Sequence, residues 1–163
     1  MQCPTSVSER NIKEQIVDNI RNSKETPEQF IPTADRIDLN NWELECDNKG
    51  KVVAQGELHS NEGDWYSCTL QKVFVDESRR GEGLGRMVVN RLIEKAKHKK
   101  VGNLDDCQLL TADINRSNLP SRNLFESSGF KITNSFCVPG DNVKADVLRM
   151  TLNNAKISGC NKE

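Results

Sequence analysis

Apolar residues first recur at helical spacing. Ile12, Ile16, Val17 and Ile20 punctuate charged neighbours over residues 7–22, predicting an amphipathic helix with Ser6 or Ser8 as N-cap. From Asn22 to Asn40 the pattern gives way to polar residues and two prolines, which predicts loop with a short helical turn around Glu28 and Phe30. Alternation then takes over. Trp42, Leu44 and Cys46 alternate with polar residues, so Asn41–Asp47 reads as a strand. Asn48-Lys49-Gly50 reads as a hairpin turn and Lys51–His59 as a second strand. After a turn at Ser60–Asp64, Trp65–Val75 reads as a long third strand. Three successive antiparallel strands make a β-meander.

From Leu84 the period returns to that of a helix. Leu84, Val88, Val89, Leu92, Ile93 and Ala96 share one face, opposite Arg86, Asn90, Arg91, Glu94, Lys95 and Lys97. Lys95, Lys97, Lys99 and Lys100 make its end basic. That suits the macrodipole, the alternative being an anionic partner. Asn103–Asp106 is loop and Cys107–Ile114 the next strand. Strand, helix and strand in that order imply a right-handed crossover with parallel pairing. Pro120 suits the first turn of a further helix and Gly129 its C′ position. Strands near Lys131–Phe136 and Ala145–Leu152, joined by a turn at Pro139–Asn142, close the fold, and Asn153–Glu163 is a frayed end. The expected class is α/β with a mixed sheet: an antiparallel meander continued by a parallel strand pair, with flanking helices. It fills a single domain over residues 1–163, with its core at 41–152, a helical and loop N-terminal region at 1–40 and a tail at 153–163.

Composition narrows the possibilities. A chain of 163 residues with 29% charged and 35% hydrophobic residues and a net charge of −1 has no global pull toward nucleic acid or membrane. No apolar run is long enough for a membrane span, and Met1–Ser6 lacks the pattern of a signal peptide. The six cysteines (Cys3, Cys46, Cys68, Cys107, Cys137, Cys160) show no CxxC spacing, which argues against zinc and against a secreted disulfide framework. They read as reduced thiols of a cytoplasmic protein, some packing as small hydrophobes. No metal site is expected.

The candidate chemistry lies between the third strand and the helix that follows. Gly81, Gly83 and Gly85 permit left-handed backbone or close approach to a ligand, and a helix N-terminus presents N–H groups and partial positive charge. This is an anion-binding turn. A P-loop is excluded because no Lys-Ser or Lys-Thr follows the glycines. A dinucleotide GxGxxG is excluded because no third glycine follows Gly83-Leu84-Gly85 at the required spacing. Val75-Asp76, then Glu77-Ser78-Arg79, then Arg80-Gly81-Glu82-Gly83-Leu84-Gly85 resembles the acyl-CoA loop of the GNAT superfamily of N-acetyltransferases. A second stretch agrees: Asn118, followed by Leu124-Phe125-Glu126-Ser127-Ser128-Gly129-Phe130, resembles the family's Asn…Leu-Tyr-Glu-x-x-Gly-Phe segment, with Phe in place of Tyr. The resemblance covers roughly residues 42–152. Upstream it weakens, since the family begins with a strand and no strand pattern precedes Ile12.

The resemblance implies a GNAT fold and transfer of an acetyl group from acetyl-CoA to a primary amine, either a small molecule or a protein amine, by direct attack in a ternary complex. Backbone of Val73, Phe74 and Val75 would bond the pantetheine arm. N–H groups of Gly81, Glu82, Gly83, Leu84, Gly85 and Arg86 would hold the pyrophosphate, with Arg80 and Arg86 adding charge. Asn118 would steady the pantetheine, and Phe125 would occupy the place of the tyrosine that protonates the leaving thiolate, a role phenylalanine cannot perform. Some members use a glutamate five residues before the Asn as base; here Asp113 stands there. Glu57 and Glu43 are lesser candidates, the sole tyrosine Tyr66 matches no family position, and an acyl-cysteine at Cys68 lacks a nearby His. The second reading is a catalytically silent GNAT-fold acyl-CoA sensor or scaffold. Monomer and homodimer are both open.

Overall fold

A computed structural model describes residues 3–60, 67–98, 109–139 and 144–153. The element order is α1 (Glu9–Ser23), β1 (Trp42–Cys46), β2 (Val52–Ser60), β3 (Ser67–Val75), α2 (Leu84–Lys97), β4 (Leu109–Asn115), α3 (Leu119–Ser127), β5 (Lys131–Pro139) and β6 (Lys144–Asn153). Short 3-10 turns stand at Glu28–Phe30, Ala34–Arg36, Leu39–Asn41 and Glu77–Arg79. The strands form a six-stranded mixed sheet in the order β1-β2-β3-β4-β6-β5. β1 with β2, β4 with β6 and β5 with β6 run antiparallel, and β3 with β4 runs parallel. This is the expected mixed α/β architecture. Residues 61–64 of the turn expected at Ser60–Asp64, Trp65 and Tyr66 of the third strand, Lys99, Lys100, the loop at 103–106, Cys107 and Gln108 of the next strand, residues 140–142 and the tail from 154 lie outside the described residues.

The chain divides into two compact units. The first comprises Met1–Glu57 and Lys72–Leu92. Ser8 caps α1 by accepting the Asn11 N–H at 3.1 Å, and Lys24 ends it in left-handed backbone at φ 60°. The face predicted to be apolar is buried: Ile12, Ile16, Val17 and Ile20 pack with Ile37, Trp42, Leu44 and Val52. Each such side chain contributes about 1.5–3 kcal/mol of transfer free energy. Polar residues on α1 then latch it to the hairpin. Gln15 donates to Gly50 O at 3.0 Å and accepts from Val52 N at 2.8 Å. Asn19 donates to Gln55 Oε1 at 2.9 Å, while Gln55, fully buried, donates to Ile16 O at 3.2 Å. A buried amide with both ends bonded costs little; left unbonded it would cost about 1–3 kcal/mol.

The β1–β2 turn is fixed by Asp47, whose Oδ1 accepts the N–H groups of Lys49 and Lys51 at 2.9 Å each, while Gly50 takes φ +83°. No strand precedes α1 among the described residues; Val7 N instead closes a turn onto Pro4 O at 3.2 Å. Cys3 of that segment is disulfide-bonded to Cys46 at the end of β1, with the Cα atoms 4.8 Å apart. The expectation that all the cysteines are reduced thiols is thereby corrected. The partners are 43 residues apart in sequence, so no local spacing announces them. Cys68 is buried and not disulfide-bonded, as expected of a cysteine packing as a small hydrophobe.

The second unit comprises Leu58–Gln71 and Ile93–Glu163. Its parallel ladder pairs Ser67 with Leu109, Cys68 with Leu110 and Thr69 with Thr111, and the last two hydroxyls bond at 3.0 Å. β4 then pairs with β6 from Leu109–Asn153 to Asn115–Val147. Asn118 caps α3 through Oδ1 and the Ser121 N–H at 3.2 Å, and Gly129 follows the helix at φ +96°, as its C′ position predicts. Among the described residues, no helix is long and apolar enough to cross a membrane.

Candidate active site

The predicted donor-binding residues Val73, Phe74, Val75, Arg80, Gly81, Glu82, Gly83, Leu84, Gly85 and Arg86 all fall in the first unit. Asp113, Asn118 and Phe125 fall in the second.

In the first unit β3 passes through Lys72, a non-glycine residue at φ +55°. Left-handed backbone costs an L-residue about 1–2 kcal/mol and re-aims the residues that follow. Lys72 Nζ lies 3.5 Å from Glu57 Oε1, each side chain 18% exposed, which ties this residue to β2. Beyond it, Val73, Phe74 and Val75 stand outside the positions paired in the parallel ladder. The strand ends at Asp76, whose N–H donates to Val53 O at 2.8 Å. The Asp76 carboxylate caps the next turn: Oδ1 accepts from Ser78 N and Ser78 Oγ at 3.0 Å, and Oδ2 pairs with Lys51 Nζ at 2.6 Å. The bond from the Lys51 ammonium, and then that from the Ser78 N–H, hold the acid down at about 2 from its ordinary 3.8.

After this turn the chain makes two left-handed steps, Gly81 at φ +85° and Gly83 at φ +79°, and enters α2 at Leu84. A Cβ built on either glycine would meet nothing within 4 Å, so the turn's outer surface is open. The first N–H to close an i→i−4 bond is that of Met87, onto Gly83 O at 3.1 Å; those of Leu84, Gly85 and Arg86 have no carbonyl to meet within the helix. Arg80 and Arg86 are exposed. An open cradle, clustered donors and two cations suit a pyrophosphate, so the residues present fit the phosphate end of acetyl-CoA. Glu82, between the two glycines, is gripped by Arg79 through two bonds, Nε–Oε2 at 2.8 Å and Nη2–Oε1 at 3.0 Å. The bond from the guanidinium holds the Glu82 carboxyl below its ordinary pKa, and the same bond raises the pKa of Arg79.

In the second unit Asp113 projects from β4, paired with Arg149 of β6 through Nε–Oδ1 at 2.9 Å and Nη2–Oδ2 at 3.1 Å. It is exposed, with 35% of its side chain accessible. Asn118 Oδ1 is used in capping α3. Phe125 is 3% exposed and packs edge-on against Phe130, with centroids 5.2 Å apart and planes at 82°. Among the described residues no group of His, Cys, Asp and Glu is placed to hold a metal ion.

Sequence reasoning missed Lys51, Asp76 and Arg79 as organisers of the turn. The signal for Asp76 was present, since Asp-x-Ser is the pattern of a side chain folding back onto backbone two residues on. Lys51 carried no local signal because its partner is on another strand.

The model of the acetyltransferase (GNAT) family matches residues 14–130. No curated protein sequence matches the chain. Among solved structures, ribosomal-protein-alanine N-acetyltransferase from Brucella melitensis aligns at 22% identity over 93% of this chain and 98% of its own, with TM-score 0.67. An N-acetyltransferase from Staphylococcus aureus Mu50 aligns at 21% identity over 93% and 96%, TM-score 0.71. A phosphinothricin acetyltransferase from Sinorhizobium meliloti, solved in complex with acetyl-CoA, aligns at 16% identity over 93% and 86%, TM-score 0.70. At these identities the structures show a shared fold. The family model spans well over half of the chain, and with the strand, turn and helix just described it places this protein in the GNAT acetyltransferase family.

Proposed function

We propose that the chain transfers the acetyl group of acetyl-CoA to a primary amine by direct attack in a ternary complex. One observation carries this reading: two left-handed glycines with an open outer surface lead straight into the N-terminus of α2. The N–H groups from Gly81 to Arg86 bind the pyrophosphate, and Arg80 and Arg86 add charge. Backbone groups of Val73, Phe74 and Val75 take the pantetheine arm as an added strand, with Asn118 steadying it and Phe125 lining its thiol end. Acetyl-CoA supplies the activated acyl group. We place the reaction in the cytoplasm.

An amine attacks only when neutral. At pH 7 that costs about 4.6 kcal/mol for a lysine-like amine and about 1 kcal/mol for an α-amino group. Asp113 accepts the departing proton, directly or through a water, and Arg149 fixes the orientation of its carboxylate. The test is thiol release from acetyl-CoA across a panel of amines. Release with at least one amine is expected, and Asp113→Asn should lower turnover with little change in acetyl-CoA affinity. Turnover unchanged across pH in that variant removes Asp113 as base. A second reading, an acyl-CoA sensor without catalysis, is favoured by Phe125, which is buried and has no proton to give. Binding without release from any amine would select it.

A further inference from the structure

The donor turn carries a carboxylate where a pyrophosphate is to sit. Glu82 lies between the two left-handed glycines, so its peptide group belongs to the anion cradle while its side chain bears the wrong charge for it. At 47% exposure that side chain has room to move. Arg79 holds it with a two-point fork, the geometry in which a guanidinium restrains a carboxylate in orientation as well as position. Arg79 is anchored in turn by its own N–H, which donates to Asp76 O at 2.9 Å in the 3-10 turn that Asp76 and Lys51 brace. It also lies in the field of Asp47 and Asp76, so it stands among three carboxylates ahead of the cradle. As an exposed pair within one loop, Arg79–Glu82 contributes little to stability. Its place in the turn gives it another role.

On the reading of this turn as the acetyl-CoA phosphate site, we propose that Arg79 is a positioning residue. It neutralises Glu82 and keeps that carboxylate turned away from the bound pyrophosphate, rather than contacting the phosphates itself. Without Arg79 the carboxylate is released beside two phosphate charges. Like charges a few ångströms apart at a partly exposed site repel strongly enough to cost about tenfold in affinity. Without Glu82, Arg79 has nothing to restrain.

The test is a cycle of acetyl-CoA dissociation constants measured by calorimetry for the parent, Arg79→Gln, Glu82→Gln and the double variant, at low salt and at about 1 M salt. Arg79→Gln should weaken binding about tenfold at low salt, and most of that loss should vanish at about 1 M, where the screening length is about 3 Å. Glu82→Gln should bind at least as well as the parent. The double variant should bind within about twofold of Glu82→Gln, because removing the carboxylate rescues the loss of the arginine. Equal losses in Arg79→Gln and the double variant would overturn the proposal by making Arg79 a direct phosphate ligand. Unchanged binding in Arg79→Gln would overturn it as well. Failure of the parent itself to bind would instead reject the functional reading on which it rests. Circular dichroism on each variant separates an affinity change from unfolding.

Discussion

Gly56→Ala probes the packing that holds the donor turn in place. Gly56 is buried on β2 opposite Glu43 of β1. A Cβ there would stand 2.8 Å from Leu92 Cδ1, 3.0 Å from Val88 Cγ1 and 3.2 Å from Val73 Cγ2. Its backbone is outside the left-handed region, so alanine fits the dihedral angles and gains about 0.4–1 kcal/mol by restricting the unfolded chain. The clash works the other way. Leu92 and Val88 are both 0% exposed, so their methyl groups have no solvent to turn into, and overpacking a filled core costs about 1–3 kcal/mol. The net expectation is a loss of about 1–2 kcal/mol, or about 2–8 °C in Tm for a chain of this size. Val73 leads into the strand end and Val88 lies one turn inside α2, so the shift that relieves the clash moves both flanks of the turn, and acetyl-CoA affinity should fall with stability. Thermal unfolding and acetyl-CoA titration of the same preparation read both effects. A variant as stable as the parent would refute the argument that α2 is seated on β2 through the missing side chain.

Other expectations follow from the same unit. Because Asp76 is held at about 2, below its ordinary 3.8, the stability it contributes is present above about pH 4 and disappears as pH falls from there to about 2. That depression corresponds to about 2 kcal/mol, which the 60% exposure of the Lys51 side chain reduces to about 1. Denaturation of Asp76→Asn against the parent should show that gap at pH 7 and none near pH 2; a gap independent of pH would contradict the Lys51 pairing. Reducing the Cys3–Cys46 bond, or replacing Cys3 with Ser, should cost about 2–4 kcal/mol, since it opens a loop closed across 43 residues. Equal Tm with and without reductant would count against it. Gly83→Asp places a side chain at φ +79° and a carboxylate in the cradle, and Gly85→Asp adds one in the first turn of α2; either should abolish acetyl-CoA binding in a folded protein.

Elements whose signals are local were legible in the sequence. The spacing of Ile12 to Ile20 marks α1 to within two residues of its ends, and Ser8 is its cap. Asn48-Lys49-Gly50 gives the hairpin turn, and Gly81 to Gly85 with the apolar face from Leu84 gives the glycine turn and α2. What escaped the sequence lies in long-range pairs. Lys72 reads as one more residue of a strand, and nothing in its neighbours announces left-handed backbone or its approach to Glu57. Gln55 looks like the polar half of an alternating strand but is fully buried, because Asn19 and Ile16 of α1 arrive to bond it. Cys3 and Cys46 meet across 43 residues, through a segment that turns on the bond from Val7 N to Pro4 O, and nothing beside either cysteine announces it. A motif position singles out Asp113 as a candidate; that Arg149 holds both its oxygens is a fact of the β4–β6 register, in which Asp113 and Arg149 are direct partners.

The central claim is that the turn from Gly81 to Arg86 binds the pyrophosphate of acetyl-CoA. Calorimetric titration of the parent protein with acetyl-CoA, with Gly83→Asp as control, tests it most directly. The account predicts saturable binding at one site per chain, with a dissociation constant in the roughly micromolar to millimolar range usual for enzyme substrates, and none in the control. No binding by the parent, or equal binding by the control, would contradict it.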